Sequence, residues 1–216
     1  MKSNFKKVIA AVMALVMCLC LTACSGANYT ENNTEYVIGV SGPLTGAAAV
    51  YGVAVQNSAQ MAVDEINAAG GLNGVMFKFI ATDDTHDATK VAANYASMFE
   101  GGMQVSLGTV TTAPGLEYKQ LSIEDSVFFL TPSASGDAIP EFDNGYQMCF
   151  ADGNQGKVAA EYVKGLGLTK IGVFFKSDDP YSTGILDNFK ANAGEIELVE
   201  QSFSDANATD FATQID

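Results

Sequence analysis

The chain has 216 residues, 48% of them hydrophobic and 17% charged, with a formal net charge of −14 at neutral pH. That length and composition suit one or two globular domains with a real core and exclude a disordered tail. There are 11 lysines and no arginine, and an acidic surface without a basic stripe argues against nucleic acid as a partner.

Three of the lysines, Lys2, Lys6 and Lys7, precede an unbroken apolar run from Val8 to Leu21. The run is shorter than the roughly 20 residues that cross a bilayer as a helix, and it suits the hydrophobic segment of a signal peptide. It ends in Leu21-Thr22-Ala23-Cys24-Ser25-Gly26, which resembles the lipobox of bacterial lipoproteins. That resemblance implies a signal peptide over residues 1–23, cleavage before Cys24 and a lipid on Cys24. An ordinary signal peptide with an incidental cysteine, or an uncleaved anchor, is the alternative. With Cys18 and Cys20 lost and Cys24 lipidated, Cys149 remains alone, so no intrachain disulfide framework is possible and no zinc-type spacing exists. Cys149 lies in an apolar stretch and is expected to be a buried, inert thiol. Residues 24–35 contain the polar stretch SGANYTENNTE and read as a flexible tether.

The following elements alternate. Tyr36–Ser41 reads as a strand, and a helical pattern follows through Val55, Ala59, Ala62, Ile66 and Ala69, ended by Gly70-Gly71. Val75–Thr82 is a predicted strand, Ala88–Phe99 a helix, Met103–Leu107 a strand, and a helix starts near Pro114. Val127–Leu130 is a strand; Asp137–Gly156 is the least regular segment and reads as a passage between lobes, with a boundary near residue 150. Gly156–Leu166 (helix), Lys170–Phe175 (strand), Ser182–Ala193 (helix) and Ile196–Phe203 (strand) complete the pattern. The last residues, ATDFATQID, read as a helix barely begun, as in a chain truncated within its second lobe. Such alternation predicts an α/β fold with parallel sheet flanked by helices. Ligands of such sheets bind beyond the strands' carboxyl ends. That rule gathers Ser41–Thr45, Asp83–His86, Gly108–Thr112, Pro132–Ser135 and Ser177–Tyr181 onto one rim.

An enzyme finds little support. The sole histidine, His86, sits in DDTHD with no nucleophile elbow anywhere. Asp83, Asp84, His86 and Asp87 are too crowded for a defensible metal spacing, and Asp83 and Asp84 are expected to cap the next helix or fix their loop. GPLTG at 42–46 lacks the lysine of a phosphate loop. LGTVTTAPG (107–115) and TPSAS (131–135) remain. Thr111, Thr112 or Ser135 is expected to cap a helix. Hydroxyls with free amides at a helix start also make a neutral anion site, the main way a chain without arginine can grip a carboxylate.

The order VIGVSGPLTGAAAVYG, AVDEINAAGGLNG, FIATDDTHD, LGTVTTAPG and FFLTPSAS resembles the type I periplasmic substrate-binding proteins of branched-chain amino acid ABC transporters, the leucine/isoleucine/valine-binding family. The resemblance runs from about Tyr36 to the chain's end. It implies two α/β lobes, an N-terminal lobe at 36–150 and a partial second lobe at 151–216, closing on a ligand. By position it implies that Thr109 is the hydroxyl after the third strand and that Ser133, Ala134 and Ser135 hold the ligand's ammonium and carboxylate. Tyr181 would close from the second lobe, and Tyr51 would lie near the side-chain pocket. Gly108, Thr109, Val110 and the GAAA run before Tyr51 depart from the family pattern and reshape the pocket wall. The implied protein is a lipid-anchored, extracytoplasmic solute-binding component of an importer for a small aliphatic amino acid, docking on a membrane permease, with no catalysis, metal or cofactor. A sensory receptor domain of the same fold, or a binder of amides or small carboxylates, is the alternative.

Overall fold

The computed structural model describes residues 35–215; the expected signal peptide at 1–23, Cys24 and the expected tether up to residue 34 lie outside the described residues. Strands β1 (Glu35–Gly42), β2 (Met76–Asp83), β3 (Val105–Thr109), β4 (Phe128–Thr131) and β5 (Gly145–Gln147) form one sheet in the order β2-β1-β3-β4-β5. Every pairing in it is parallel. Parallel neighbours need crossovers, and three are helical: α1 (Ala49–Ala68), α2 (Val91–Glu100, after a 3₁₀ turn at Ala88–Lys90) and α3 (Thr112–Glu124). Helix α4 (Asp152–Gly165) follows, then β6 (Lys170–Lys176), α5 (Pro180–Ala193), β7 (Glu197–Phe203), a 3₁₀ turn (Asp205–Asn207) and α6 (Ala212–Ile215). Strands β6 and β7 pair parallel in a second, two-stranded sheet. The expected α/β alternation is therefore present. Among the described residues no helix is long and apolar enough to cross a membrane.

Helices α3, α4 and α5 start two to four residues before the expected positions, α4 already at Asp152 within the segment read as a passage, and three further departures have identifiable reasons. Helix α1 starts at Ala49 rather than Val55 because Gly52 lets its first turn press on the loop after β1. A Cβ on Gly52 would lie 2.1 Å from the Pro43 carbonyl oxygen. Strand β3 ends at Thr109, later than expected, because a register shift between Gly39 and Ser41 lets Thr109 pair beside Ser41. Strand β5 is too short to show a period of two. It is held by the Phe129 amide bonding the Asn144 carbonyl at 2.9 Å and the Met148 amide bonding the Thr131 carbonyl at 3.0 Å.

The main core gathers Val91, Tyr95 and Met98 of α2, Tyr118 of α3, Phe129 of β4 and the loop residues Met103, Val127, Ala134 and Ile139. Tyr118 packs edge-on against Tyr95 at 5.2 Å and Phe129 at 5.5 Å, the favoured aromatic arrangement. A smaller cluster of Ala160, Phe189 and Ala193 joins α4 to α5. Their close approach depends on Gly156, where a Cβ would lie 2.3 Å from the Ile185 carbonyl oxygen.

Candidate ligand-binding site

Parallel pairing brings the carboxyl ends of the strands level. Gly42 lies beside Asp83, and Ser41 beside both Thr82 and Thr109. On this rim Asp83 ties two loops together. Its carboxylate accepts the Leu44 amide at 2.8 Å, the Thr85 amide at 2.9 Å and the Thr45 hydroxyl at 2.6 Å. Burial acts to raise its pKa, but the bonds from Thr45, Leu44 and Thr85 outweigh burial and hold it below the ordinary carboxylate value. Asp84 is fully buried and accepts the Ser41 hydroxyl at 3.1 Å and the His86 amide at 2.9 Å. Burial dominates there and raises its pKa. These two aspartates fix the loop, as expected, but cap no helix. Asp87 does that, accepting the Thr89 amide at 2.9 Å.

The threonine loop departs from the capping expectation. Thr111 occupies the N-cap position of α3 in extended conformation, φ −124° and ψ 155°, yet its side chain makes no capping bond. The first helical bond runs from the Gly115 amide to the Thr111 carbonyl at 3.0 Å. Pro114 has no amide, so the amides of Thr112 and Ala113 precede any intrahelical partner. The hydroxyl oxygens of Thr111 and Thr112 are buried without a hydrogen-bond partner. Thr109 is buried, its hydroxyl 3.4 Å from the Thr111 carbonyl, a weak bond at best. Unpartnered buried hydroxyls are costly, and these two belong to the first residues at the positive end of a helix.

The TPSAS loop packs against this turn. Thr131, at the end of β4, donates to the Thr109 carbonyl at 2.7 Å and accepts the Ala134 amide at 3.1 Å. One side chain thus sets the spacing between Thr109 and Ala134. The Ala134 carbonyl accepts Nε2 of Gln147 at 2.8 Å. A Cβ on Gly115 would lie 3.0 Å from the Thr109 hydroxyl and 3.3 Å from the Ala134 side chain. One on Gly136 would lie 2.7 Å from Thr112. Thr109, Ala134 and Ser135 are thereby drawn together around the start of α3, with Ala134 and Ser135 buried and Ser133 half-buried. Tyr51 and Tyr181 stand apart in solvent, 61% and 37% exposed. Asp179 caps α5 by accepting the Tyr181 amide at 3.1 Å.

Cys149 is half-buried rather than buried, its thiol 3.4 Å from the Ala134 carbonyl. Burial raises its pKa, which keeps the unreactive protonated form dominant at neutral pH. Sequence reasoning missed Thr131, Asp152 and Gln155. The Asp152 amide bonds the Ser135 carbonyl at 2.9 Å, and its buried carboxylate and the Gln155 Oε1 have no hydrogen-bond partner.

The profile of a family described as periplasmic binding protein matches residues 35–216. The chain belongs to that family. A Leu/Ile/Val-binding protein homolog of Brucella melitensis is 31% identical to this periplasmic binding protein over 188 residues, covering 84% of this chain and 50% of the relative. The Leu/Ile/Val-binding protein BraC3 of Rhizobium johnstonii is 32% identical over 171 residues, covering 77% and 47%. Among solved structures, the branched-chain amino acid transporter substrate binding protein LivJ of Streptococcus pneumoniae, in complex with isoleucine, superposes with a TM-score of 0.76 at 26% identity, covering 84% of this chain and 53% of that one. The chain spans about half the length of the curated relatives it matches.

Proposed function

We propose that this periplasmic binding protein is the extracytoplasmic solute-binding component of an ABC importer and takes a small aliphatic amino acid. Its ligand lies between an N-terminal lobe at 36–150 and a second lobe from 151, and the chain is tethered to the membrane by a lipid on Cys24 and docks on a permease. The observation that carries the reading is the start of α3. There the unpartnered hydroxyls of Thr111 and Thr112, and the Thr112 and Ala113 amides that precede any intrahelical partner, belong to a turn packed against Thr109, Ala134 and Gly136, which suits a carboxylate grip made without arginine. Relatives named for leucine, isoleucine and valine, and a structural neighbour holding isoleucine, support the ligand class. Ser133–Ser135 supply the polar contacts, Tyr51 borders the side-chain pocket, and Tyr181 closes over the ligand from the second lobe. The function is capture without chemistry.

Calorimetric titration of the full-length protein with leucine, isoleucine, valine, smaller amino acids, amides and carboxylates tests this. Each lost hydrogen bond to a charged group is worth about 1.5–3 kcal/mol, so Thr109→Val and Ser135→Ala should each weaken binding by about 10- to 100-fold. Saturable binding of an aliphatic amino acid that survives both substitutions unchanged would overturn the site. No binding across the panel would overturn the ligand class.

A further inference from the structure

The TPSAS loop is gripped along its carbonyl side by a single stretch of chain. The Thr131 carbonyl accepts the Met148 amide at 3.0 Å, and the Ser135 carbonyl accepts the Asp152 amide at 2.9 Å. Between them, the Ala134 carbonyl accepts Nε2 of Gln147 at 2.8 Å, and the Gly136 carbonyl lies 3.5 Å from the same nitrogen. The Cys149 thiol, 3.4 Å away, is a weak second donor to the Ala134 carbonyl. Residues 147–152 thus reach the carbonyls of Thr131, Ala134, Ser135 and Gly136.

The bonds from Met148 and Asp152 come from backbone amides, which almost any residue would supply. The bond from Gln147 depends on its side chain. Both groups that this side chain faces are acceptors, so its nitrogen and not its oxygen must meet them. Its main partner, Ala134, lies between the two serines of the loop and is 1% exposed, which leaves water little room to replace a lost donor. The Ala134 amide is already taken by the Thr131 hydroxyl at 3.1 Å. With its carbonyl on Gln147, Ala134 has both backbone polar groups engaged within the protein. Gln147 and Thr131 are register partners of β5 and β4, so the two side chains that pin Ala134 stand side by side in the sheet. Polar contacts to a ligand then fall to Ser133 and Ser135, on either side of the pin.

We propose that Gln147 is a positioning residue for the ligand site: without touching the ligand, its side-chain amide holds the Ala134 carbonyl so that Ser133 and Ser135 are presented in the shape that binds. This rests on reading those serines as part of the ligand's polar subsite. A loop fixed before the ligand arrives spares the ordering cost of binding, and a buried carbonyl deprived of its donor would undo that fixing.

The test is calorimetric titration of the full-length protein with leucine, isoleucine and valine, at a temperature where denaturant titration shows wild type and variants fully folded. Under that condition a side chain that only stabilises the fold leaves the dissociation constant unmoved. Gln147→Met keeps the length of the side chain and removes the donor, and it should weaken binding by about tenfold. Gln147→Lys returns N–H donors and should bind within about threefold of wild type. Gln147→Glu sets an acceptor-only group against two carbonyls and should bind no better than Gln147→Met. Unchanged affinity in Gln147→Met, or Gln147→Lys as impaired as Gln147→Met, overturns the role of Gln147 while the wild-type binding leaves the functional reading standing. A wild type that binds none of the three amino acids overturns that reading, and this proposal with it. Should Gln147→Met fail to fold, nuclear magnetic resonance of the wild type decides. The Gln147 side-chain amide protons should exchange with solvent more slowly at saturation with the amino acid that binds, because a ligand on Ser133 and Ser135 tightens the loop that Gln147 braces. Exchange unaffected by ligand would overturn the proposal.

Discussion

The Thr131 hydroxyl works in two directions at once, donating to one strand end and accepting from the next loop. Valine has the same shape without either bond. Leaving the buried Thr109 carbonyl and Ala134 amide unsatisfied costs about 1–3 kcal/mol for each group. Thr131→Val should therefore lower the thermal unfolding midpoint clearly, and weaken ligand binding more than that loss of stability explains. Asp83 offers a second test at this scale. Its pKa is depressed below 3.8, so its contribution to stability is fully present above that value and disappears as pH falls through the folded pKa. The stability gap between wild type and Asp83→Asn should be constant from pH 7 to about 5 and shrink as pH falls below 3.8. A gap independent of pH would mean that the loop is not held by the charged form.

At the scale of elements, the approach of α4 to α5 is set by Gly156. Alanine gains about 1 kcal/mol of helix propensity over glycine, yet here its Cβ would meet the Ile185 carbonyl at 2.3 Å and the Phe189 amide at 2.7 Å. Overpacking against backbone costs about 1–3 kcal/mol, so the clash should win. Gly156→Ala should destabilise the chain in denaturant titration, whereas alanine at Gly165, which has open space around it, should not. Most elements were legible in the sequence because their apolar spacing is clean, as in KIGVFF for β6 and Val91, Tyr95 and Met98 for α2. Strand β5 was not legible, since three residues carry no period and its identity comes from pairing with β4. Thr111 was legible as a helix start, but the absence of its capping bond was not, because hydroxyl direction depends on how two loops meet. In DDTHD the sequence pointed to a helix cap or a fixed loop, and the choice between them was not legible. Successive left-handed residues, Thr85 at φ 53° and His86 at φ 65°, wrap the backbone around Asp83 and Asp84. Asp152 fell in the irregular segment 137–156, and its burial at the start of α4, with its amide on the Ser135 carbonyl, depends on contacts that no local pattern records.

Across the whole molecule the two sheets differ in how well they are covered. The five-stranded sheet buries Val40 and Phe129 at 1% exposure each, while the two-stranded sheet leaves Phe174 at 51% and Val199 at 45%. Two strands with one apolar face open are marginal, and local opening follows coverage. In this 216-residue chain, amide exchange should be fastest in β6 and β7 and slowest in β1 and β3. Comparable protection in both sheets would refute this.

The chain's lack of arginine has a consequence in solution. On the proposed reading, a carboxylate held by hydroxyl and amide dipoles at the start of α3 displaces no counter-ions from a cationic side chain, so added salt screens the surface ion pairs, such as Lys170–Glu197 and Lys190–Glu200, more than the grip. A grip of that kind keeps its strength from dilute buffer to brine, so the protein would capture its ligand equally well in environments of very different ionic strength.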